Sequence, residues 1–285
     1  MRWEKGIGRF STAKHKGEKN VRVGVPIRNN ETVLLQYQNL MIQNRELASK
    51  KYVRETMFSV LQDLGNFFEH FYACSSSAFD FEKIREPREE MDGGESLKKD
   101  ASNFVNVYQA QCRQSDSFEK RFLTQAQMIL HDLEKIEIVP GLNKIGMQLE
   151  FRGKKFLLSD LSDGTIEALV ILLLLSLKGE NNPSLLAIDE PEVNLHPAWQ
   201  KILANWIQMS GSYDQCFIST HSPDFLDEFT KGYLENKVNI FVADRRSDYS
   251  FRPLNYKRVR EELEEGWLLG DLYRVNDPSI GGWPW

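Results

Sequence analysis

Two carboxylates stand side by side in the stretch PSLLAIDEPEVNLHPAWQKIL: Asp189 and Glu190 follow directly on the short apolar run from Leu185 to Ile188. A buried parallel strand that delivers acids to the edge of a sheet has this pattern. Adjacent strand residues point to opposite faces, so the two carboxylates cannot do the same job. The natural division gives one of them to Mg2+, often through water, and the other to polarising an attacking water. Upstream lies Leu161-Ser162-Asp163-Gly164-Thr165, followed by an apolar segment that reaches Leu177. A helix starting near Gly164 would expose unpaired N–H groups and the positive end of its dipole, which suits a phosphate. Ordinary helix caps use the same residues, so this segment alone says little. Downstream, QCFISTHSPDFLDEF repeats the order of strand and then polar exit: Cys216 to Ser219 reads as a strand, with Thr220, His221 and Ser222 just beyond it. A single histidine at such a point is more often structural than catalytic.

The elements that must position these residues follow from the apolar spacing. From Ile136 onward short strands alternate with helices, which predicts an α/β second half. Before it the pattern is irregular. Lys51 to Leu64, with Val53, Met57, Leu61 and Leu64 at helical intervals, predicts an amphipathic helix ended by Gly65-Asn66. Residues 75–99 are polar and contain Pro87 and Gly93-Gly94, the composition of a surface loop or insertion. Helices are predicted near Ser102 to Cys112 and Phe118 to Leu133, the latter with Asp116 and Glu119 at capping-box spacing. The N-terminus reads as a β-hairpin, with Lys16-Gly17-Glu18-Lys19 as its turn and Val21 to Val25 as the returning strand.

The chain has 285 residues, 41% of them hydrophobic and 27% charged, with 18 Gly and 10 Pro, a composition that excludes disordered, collagen-like and mucin-like chains. A net charge of -5 argues against a protein dominated by phosphate-backbone binding. The first 28 residues depart from that balance: eight Lys and Arg face only Glu4 and Glu18, a local charge of +6 compatible with nucleic-acid contact. Cys74, Cys112 and Cys216 form no CxxC and are odd in number, so neither a disulfide framework nor a zinc site is signalled, and a reducing, cytoplasmic setting fits. The longest apolar stretch, Ala168 to Leu177, is too short to cross a bilayer, and no signal peptide opens the chain.

Taken in order, the three chemical segments resemble the ATP-binding-cassette class of ATPases, in particular its RecF/SMC-like and OLD-like members labelled as AAA-family predicted ATPases. LSDGT is similar to the family signature, LLAIDEPEVNLHP to its Walker B and D-loop, and STHSPDFLD to its switch-histidine segment. The closing Trp267-Leu-Leu-Gly-Asp-Leu-Tyr-Arg through Gly281-Gly-Trp-Pro-Trp285 also resembles that group. The resemblance covers residues 158–285 and is faint over residues 30–140.

The resemblance implies an α/β P-loop NTPase sheet with flanking helices and a helical insertion, and a site in which ATP is held between two units. On that template Asp189 organises Mg2+, Glu190 is the general base and His221 senses the γ-phosphate. Ser162, Asp163 and Gly164 approach the nucleotide of the partner, and Asn194, Leu195 and His196 form the D-loop across the interface. It also implies a homodimer or a hetero-partner, and action on nucleic acid or a partner effector of the kind seen in DNA repair or phage defence. Glu192 and His196 are typical of the subgroup, with interface or supporting roles at least as well suited to them as chemistry.

One departure matters. No GxxxxGK[ST] occurs in the sequence. Gly141-Leu-Asn-Lys-Ile-Gly146 has the glycine spacing, but Met147-Gln148 replace Lys-Ser/Thr and the segment lies between predicted strands rather than before a helix. The expectation is therefore that residues 1–33 are the remnant of a β-rich N-terminal lobe whose P-loop segment is missing, 34–135 a helical or irregular insertion region, and 136–285 the C-terminal lobe with the three motifs. A truncated ATPase, a split enzyme and a non-catalytic subunit that lends its signature to a P-loop-bearing partner all remain open. A nuclease of the OLD type is disfavoured, because Asp244 and Asp248 are not accompanied by a Glu-bearing strand and a DxD.

Overall fold

The computed structural model describes residues 2–4, 7–10, 23–26, 71–89, 96–115, 117–141, 143–177, 185–244 and 250–280. The chain divides into two units, 1–70 and 71–285.

In the first unit β1 (Arg2–Glu4), β2 (Ile7–Phe10) and β3 (Val23–Pro26) form an antiparallel sheet in that order. The pairing of β2 with β3, Phe10 opposite Val23 and Ile7 opposite Pro26, is the expected N-terminal hairpin. The turn expected at residues 16–19 and the helix expected over 51–64 lie outside the described residues.

The second unit begins with β4 (Phe71–Ser75), a 3-10 turn over Ser76–Ala78, α1 (Phe81–Arg85), β5 (Arg88–Glu89), α2 (Phe104–Gln114) and α3 (Phe118–Ala126). Next come β6 (Leu133–Pro140), β7 (Lys144–Phe151), β8 (Lys154–Leu157) and α4 (Asp163–Ser176). They are followed by β9 (Leu185–Asp189), α5 (Pro197–Met209), β10 (Gln215–Ser219), α6 (Pro223–Asp227) and α7 (Thr230–Leu234). Finally come β11 (Phe241–Asp244), β12 (Ser250–Pro253), α8 (Tyr256–Glu264) and α9 (Leu269–Arg274).

Three of these strands form the parallel sheet that carries the acids, in the order β10-β9-β4. The α/β expectation holds, but the sheet recruits a strand from earlier in the chain than expected. Phe71–Ser75 lies in the region read as helical or irregular and pairs with β9 along its whole length. Its sequence, FYACS, has neither alternation nor a β-branched residue to mark it. The polar segment after it is also more than a loop, since Phe79, Ile84 and Leu97 are buried in the core.

Helix α4 forms the centre of that core. Ser162 caps it, its hydroxyl accepting the Thr165 N–H at 3.2 Å, and Asp163 places a negative charge at the positive end of the dipole. Every residue from Gly164 to Leu175 is buried, so this helix is apolar on all sides, as a helix wrapped by other elements must be. It packs on α3 and α5 and shares one apolar cluster with Leu186 and Ile188 of β9.

The helix expected from Phe118 to Leu133 ends at Ala126. Ile129 and Leu133 reach the core from turns and from the start of β6 instead. Asp116 of the expected capping box is outside the described residues. A second antiparallel sheet, β5-β7-β6 with β8 on β7, contributes Ile136, Ile145, Met147 and Leu149 to the same core. The β7–β8 turn uses Arg152 and Gly153, both at positive φ (50° and 71°), as a two-residue hairpin turn requires. Gly141 makes the β6–β7 turn, its N–H donating to the Lys144 carbonyl at 2.6 Å, so the glycine pair at 141 and 146 sits in a hairpin and not before a helix.

The C-terminal elements form a smaller cluster around Val259, Leu263, Leu269 and Leu272. It is latched to α6. The Gly270 N–H donates to Asp227 Oδ1 at 2.7 Å, and Arg274 pairs with Asp224 and with Asp227. No helix of the described residues is long and apolar enough to cross a membrane.

Candidate functional site at the carboxyl edge of the parallel sheet

All three parallel strands end on the same row. Ser75, Asp189 and Ser219 are the last residues of β4, β9 and β10, and register places Asp189 opposite each serine. The Asp189 carboxylate accepts from both hydroxyls, from Ser219 on Oδ1 and from Ser75 on Oδ2 at 3.2 Å. Among the described residues no cation pairs with it. The carboxyl edge of parallel strands is where α/β sheets bind ligands.

Glu190 leaves the row by a different device from the one expected. The strand stops at Asp189, and Glu190 adopts φ 50°, a left-handed conformation that a side chain of this size rarely takes. Its N–H donates to the Ser219 carbonyl at 3.1 Å. A turn of the backbone, rather than strand alternation, thus parts the two acids. The Glu190 carboxylate lies 3.4 Å from Nε2 of His221, whose side chain is 72% exposed. Asp189, Glu190 and His221 are therefore brought together at one end of the sheet.

The signature-like segment is held by a residue that no motif points to. Arg85, in α1, donates to the Leu161 carbonyl at 2.9 Å and to Asp163 Oδ1 at 2.5 Å. Ser162 and Asp163 are exposed, and Gly164 is buried. A Cβ at Gly164 would overlap the backbone carbonyl of Asn194, so the glycine is there because the 190–196 loop crosses directly over it.

That loop has its own anchors. Asn194 Nδ2 donates to Glu167 Oε2 at 2.6 Å, Leu195 is buried, and His196 caps α5, its Nδ1 accepting the Ala198 N–H at 3.2 Å. Glu192 is buried and accepts from Thr220, His221 and Ser222. Beneath the loop, Glu167 is wholly buried in α4. Burial pushes its pKa up to about 6, with the Glu192 charge adding to the rise, although hydrogen bonding to Asn194 opposes it. Cys74 beside it is pushed up to about 12 by burial, with the Glu167 charge adding, so its thiol is inert. Motif reading passes over Ser75, Arg85 and Glu167, and it gives no role to Ser219, the first residue of STHSPDFLD. Only Glu167 carried a signal, as the one charged residue in the apolar run after LSDGT.

Among the described residues no group of three or more His, Cys, Asp or Glu could hold a metal ion alone. One carboxylate flanked by two hydroxyls, all hard oxygen donors, nevertheless fits a Mg2+ that takes its other ligands from phosphates and water.

The family described as "AAA domain, putative AbiEii toxin, Type IV TA system" matches residues 9–227. No curated protein matches the chain. Solved structures to which it is similar include one from "Structural biochemistry of ATP-driven dimerization and DNA stimulated activation of SMC ATPases", 15% identical with a TM-score of 0.40, covering 55% of this chain and 96% of that one. Another is the Smc head bound to the C-terminal domain of ScpA from Pyrococcus furiosus, 12% identical with a TM-score of 0.40, covering 59% and 43%. A third, the Smc head bound to the winged-helix domain of ScpA, is 13% identical with a TM-score of 0.43, covering 64% and 55%. The chain thus spans about half the length of the last two.

Proposed function

Because the chain belongs to this family of AAA-type ATPases, with the α/β fold of P-loop NTPases, we propose that the carboxyl edge of its parallel sheet is one half of an ATP-hydrolysing site completed by a second unit. The observation that carries the reading is the separation of the two acids. Asp189 faces a pair of hydroxyls on the sheet edge, while Glu190 is turned by its left-handed backbone towards His221.

In this reading Asp189, with Ser75 and Ser219 beside it, holds Mg2+, which supplies charge neutralisation to the phosphates when bound. Glu190 accepts the proton of the attacking water, and His221 approaches the γ-phosphate. Ser162, Asp163 and Gly164 present the N-terminus of α4 to a nucleotide held by the other unit, with Arg85 fixing their loop. Asn194 and His196, both exposed, lie along the same interface, and the buried Leu195 between them anchors their loop in the core. The site-bearing lobe is residues 136–285 together with β4. Nucleotide-driven pairing of two units, acting on nucleic acid or on an effector protein, is the function we assign to it.

The test is Mg-ATP binding and turnover by the purified chain. Glu190→Gln is expected to abolish turnover while leaving binding within about twofold, since it removes a base and not a phosphate contact. Loss of binding in this variant, or unchanged turnover, overturns the assignment of Glu190.

A second reading has its own observation: the 285 residues contain no GxxxxGK[ST]. A subunit that donates its α4 N-terminus to a P-loop-bearing partner would show no ATP binding alone. It would restore turnover in that partner, and would fail to do so when Ser162 and Asp163 are changed.

A further inference from the structure

Glu192 is 6% exposed, and among the described residues no cation pairs with it. A carboxylate is kept in such a place only where donors replace its lost water. All of its donors come from three consecutive residues and meet on one oxygen. Oε1 accepts the Thr220 hydroxyl at 2.5 Å, the His221 N–H at 3.1 Å and the Ser222 N–H at 3.3 Å. Three donors in a row reach a single oxygen only if the backbone of 220–222 curls around it. His221 is the middle of that curl. Its largely exposed ring is 3.4 Å from Glu190, so the ring's place is set from the backbone side.

We propose that Glu192 is a positioning residue: its carboxylate fixes the backbone of residues 220–222 and thereby holds His221 opposite Glu190. The proposal rests on the reading of Glu190 and His221 as the reactive pair. The second oxygen, Oε2, has no partner, and neither has Oε1 of the buried Glu167. The two carboxyls are near enough for the charge of Glu192 to act on Glu167, and Glu167 holds Asn194 through its other oxygen. The anchor of the histidine loop and the anchor of the Asn194 loop are thus two buried carboxyls, Glu192 and Glu167.

Amide hydrogen exchange of the full chain without nucleotide tests this independently of any hydrolysis. Glu192→Gln keeps the side-chain length and an accepting oxygen, whereas Glu192→Asp keeps the charge and withdraws it by one methylene. In Glu192→Asp the His221 amide is expected to exchange at least about tenfold faster, and in Glu192→Gln to stay within about twofold of the parent; the Ser222 N–H also donates to Thr220 Oγ1 at 3.0 Å and keeps that partner in both variants. The β10 amides, unchanged in both, report that the fold is intact. Equal protection in all three proteins, or equal loss in both variants, overturns the proposal. If Glu192→Asp loosens β10 as well, Thr220→Val decides, read at the His221 amide alone: faster exchange there with β10 unchanged supports the clamp, and no change overturns it. Where turnover is measurable, Glu192→Asp lowers kcat with KM for ATP unchanged, and Glu192→Gln restores it. A chain that never binds ATP refutes the first of the two functions proposed above, and the exchange contrast still decides the role of Glu192.

Discussion

Glu167→Gln should make the protein more stable, and by an amount that depends on pH. The wild-type carboxyl is raised from 4.5, its ordinary value, to about 6, chiefly because burial in α4 disfavours its charge. At about 1.4 kcal/mol per tenfold change, keeping Glu167 ionised in the folded protein costs about 2 kcal/mol. The sign follows from the direction of the rise. The folded state holds the proton more tightly than the unfolded chain, so the contribution is fully favourable below about 4.5 and is lost as pH climbs through about 6. Gln is never ionised, and its carbonyl can still accept from Asn194 Nδ2. Its amide would occupy the place of Oε1, near the Ser76 hydroxyl that faces the wild-type carboxyl. Urea unfolding followed by fluorescence of the six tryptophans should show the variant about 2 kcal/mol more stable at pH 7.5, and only a few tenths more stable at pH 4.5. A gain of the same size at both pH values would remove ionisation as its cause. A variant no more stable than wild type at pH 7.5 would refute the reasoning altogether.

Gly164→Ala, which drives a methyl into the Asn194 carbonyl, should lose about 1–3 kcal/mol in the same assay. Gly146→Ala, with open space at its Cβ, should change little, and equal effects would mean the crossing at Gly164 is not tight. Glu190→Gly should gain about 1 kcal/mol by relieving the left-handed backbone at φ 50° while losing turnover; a loss of stability would show that the side chain contributes more than its strain. Leu172→Ala, in the middle of the buried helix α4, should cost about 2–5 kcal/mol. A cost below about 1 kcal/mol would contradict the packing on all sides of that helix.

The elements read most directly from the sequence are those whose apolar runs have sharp polar borders. Ser162 and Asp163 bound one end of α4, and the paired acids end β9. Apolar spacing predicts helix α3 seven residues too long, because Ile129 and Leu133 keep helical spacing while reaching the core from turns and a strand. Strand β4 carried no pattern at all. The supporting residues are harder still, since what makes them matter is distant in the chain: Ser75 reaches Asp189 across 114 residues and Arg85 reaches Asp163 across 78. A motif names the acid but not the hydroxyl that the sheet brings beside it. Local spacing also assigned the separation of Asp189 and Glu190 to strand alternation, whereas a single backbone dihedral produces it.

The row of Ser75, Asp189 and Ser219 has a bearing on how such a chain can vary. Neighbouring strands lie about 4.8 Å apart whatever their side chains, so the backbone ladder works as a ruler that spaces these three oxygen-bearing groups. Loops can lengthen, shorten or change composition without moving its marks. A slip of one residue in any of the three strands turns that strand's mark to the opposite face and takes the oxygen away entirely. The arrangement therefore resists gradual detuning: it tolerates wide drift in the connecting segments, and when it fails it fails in whole steps.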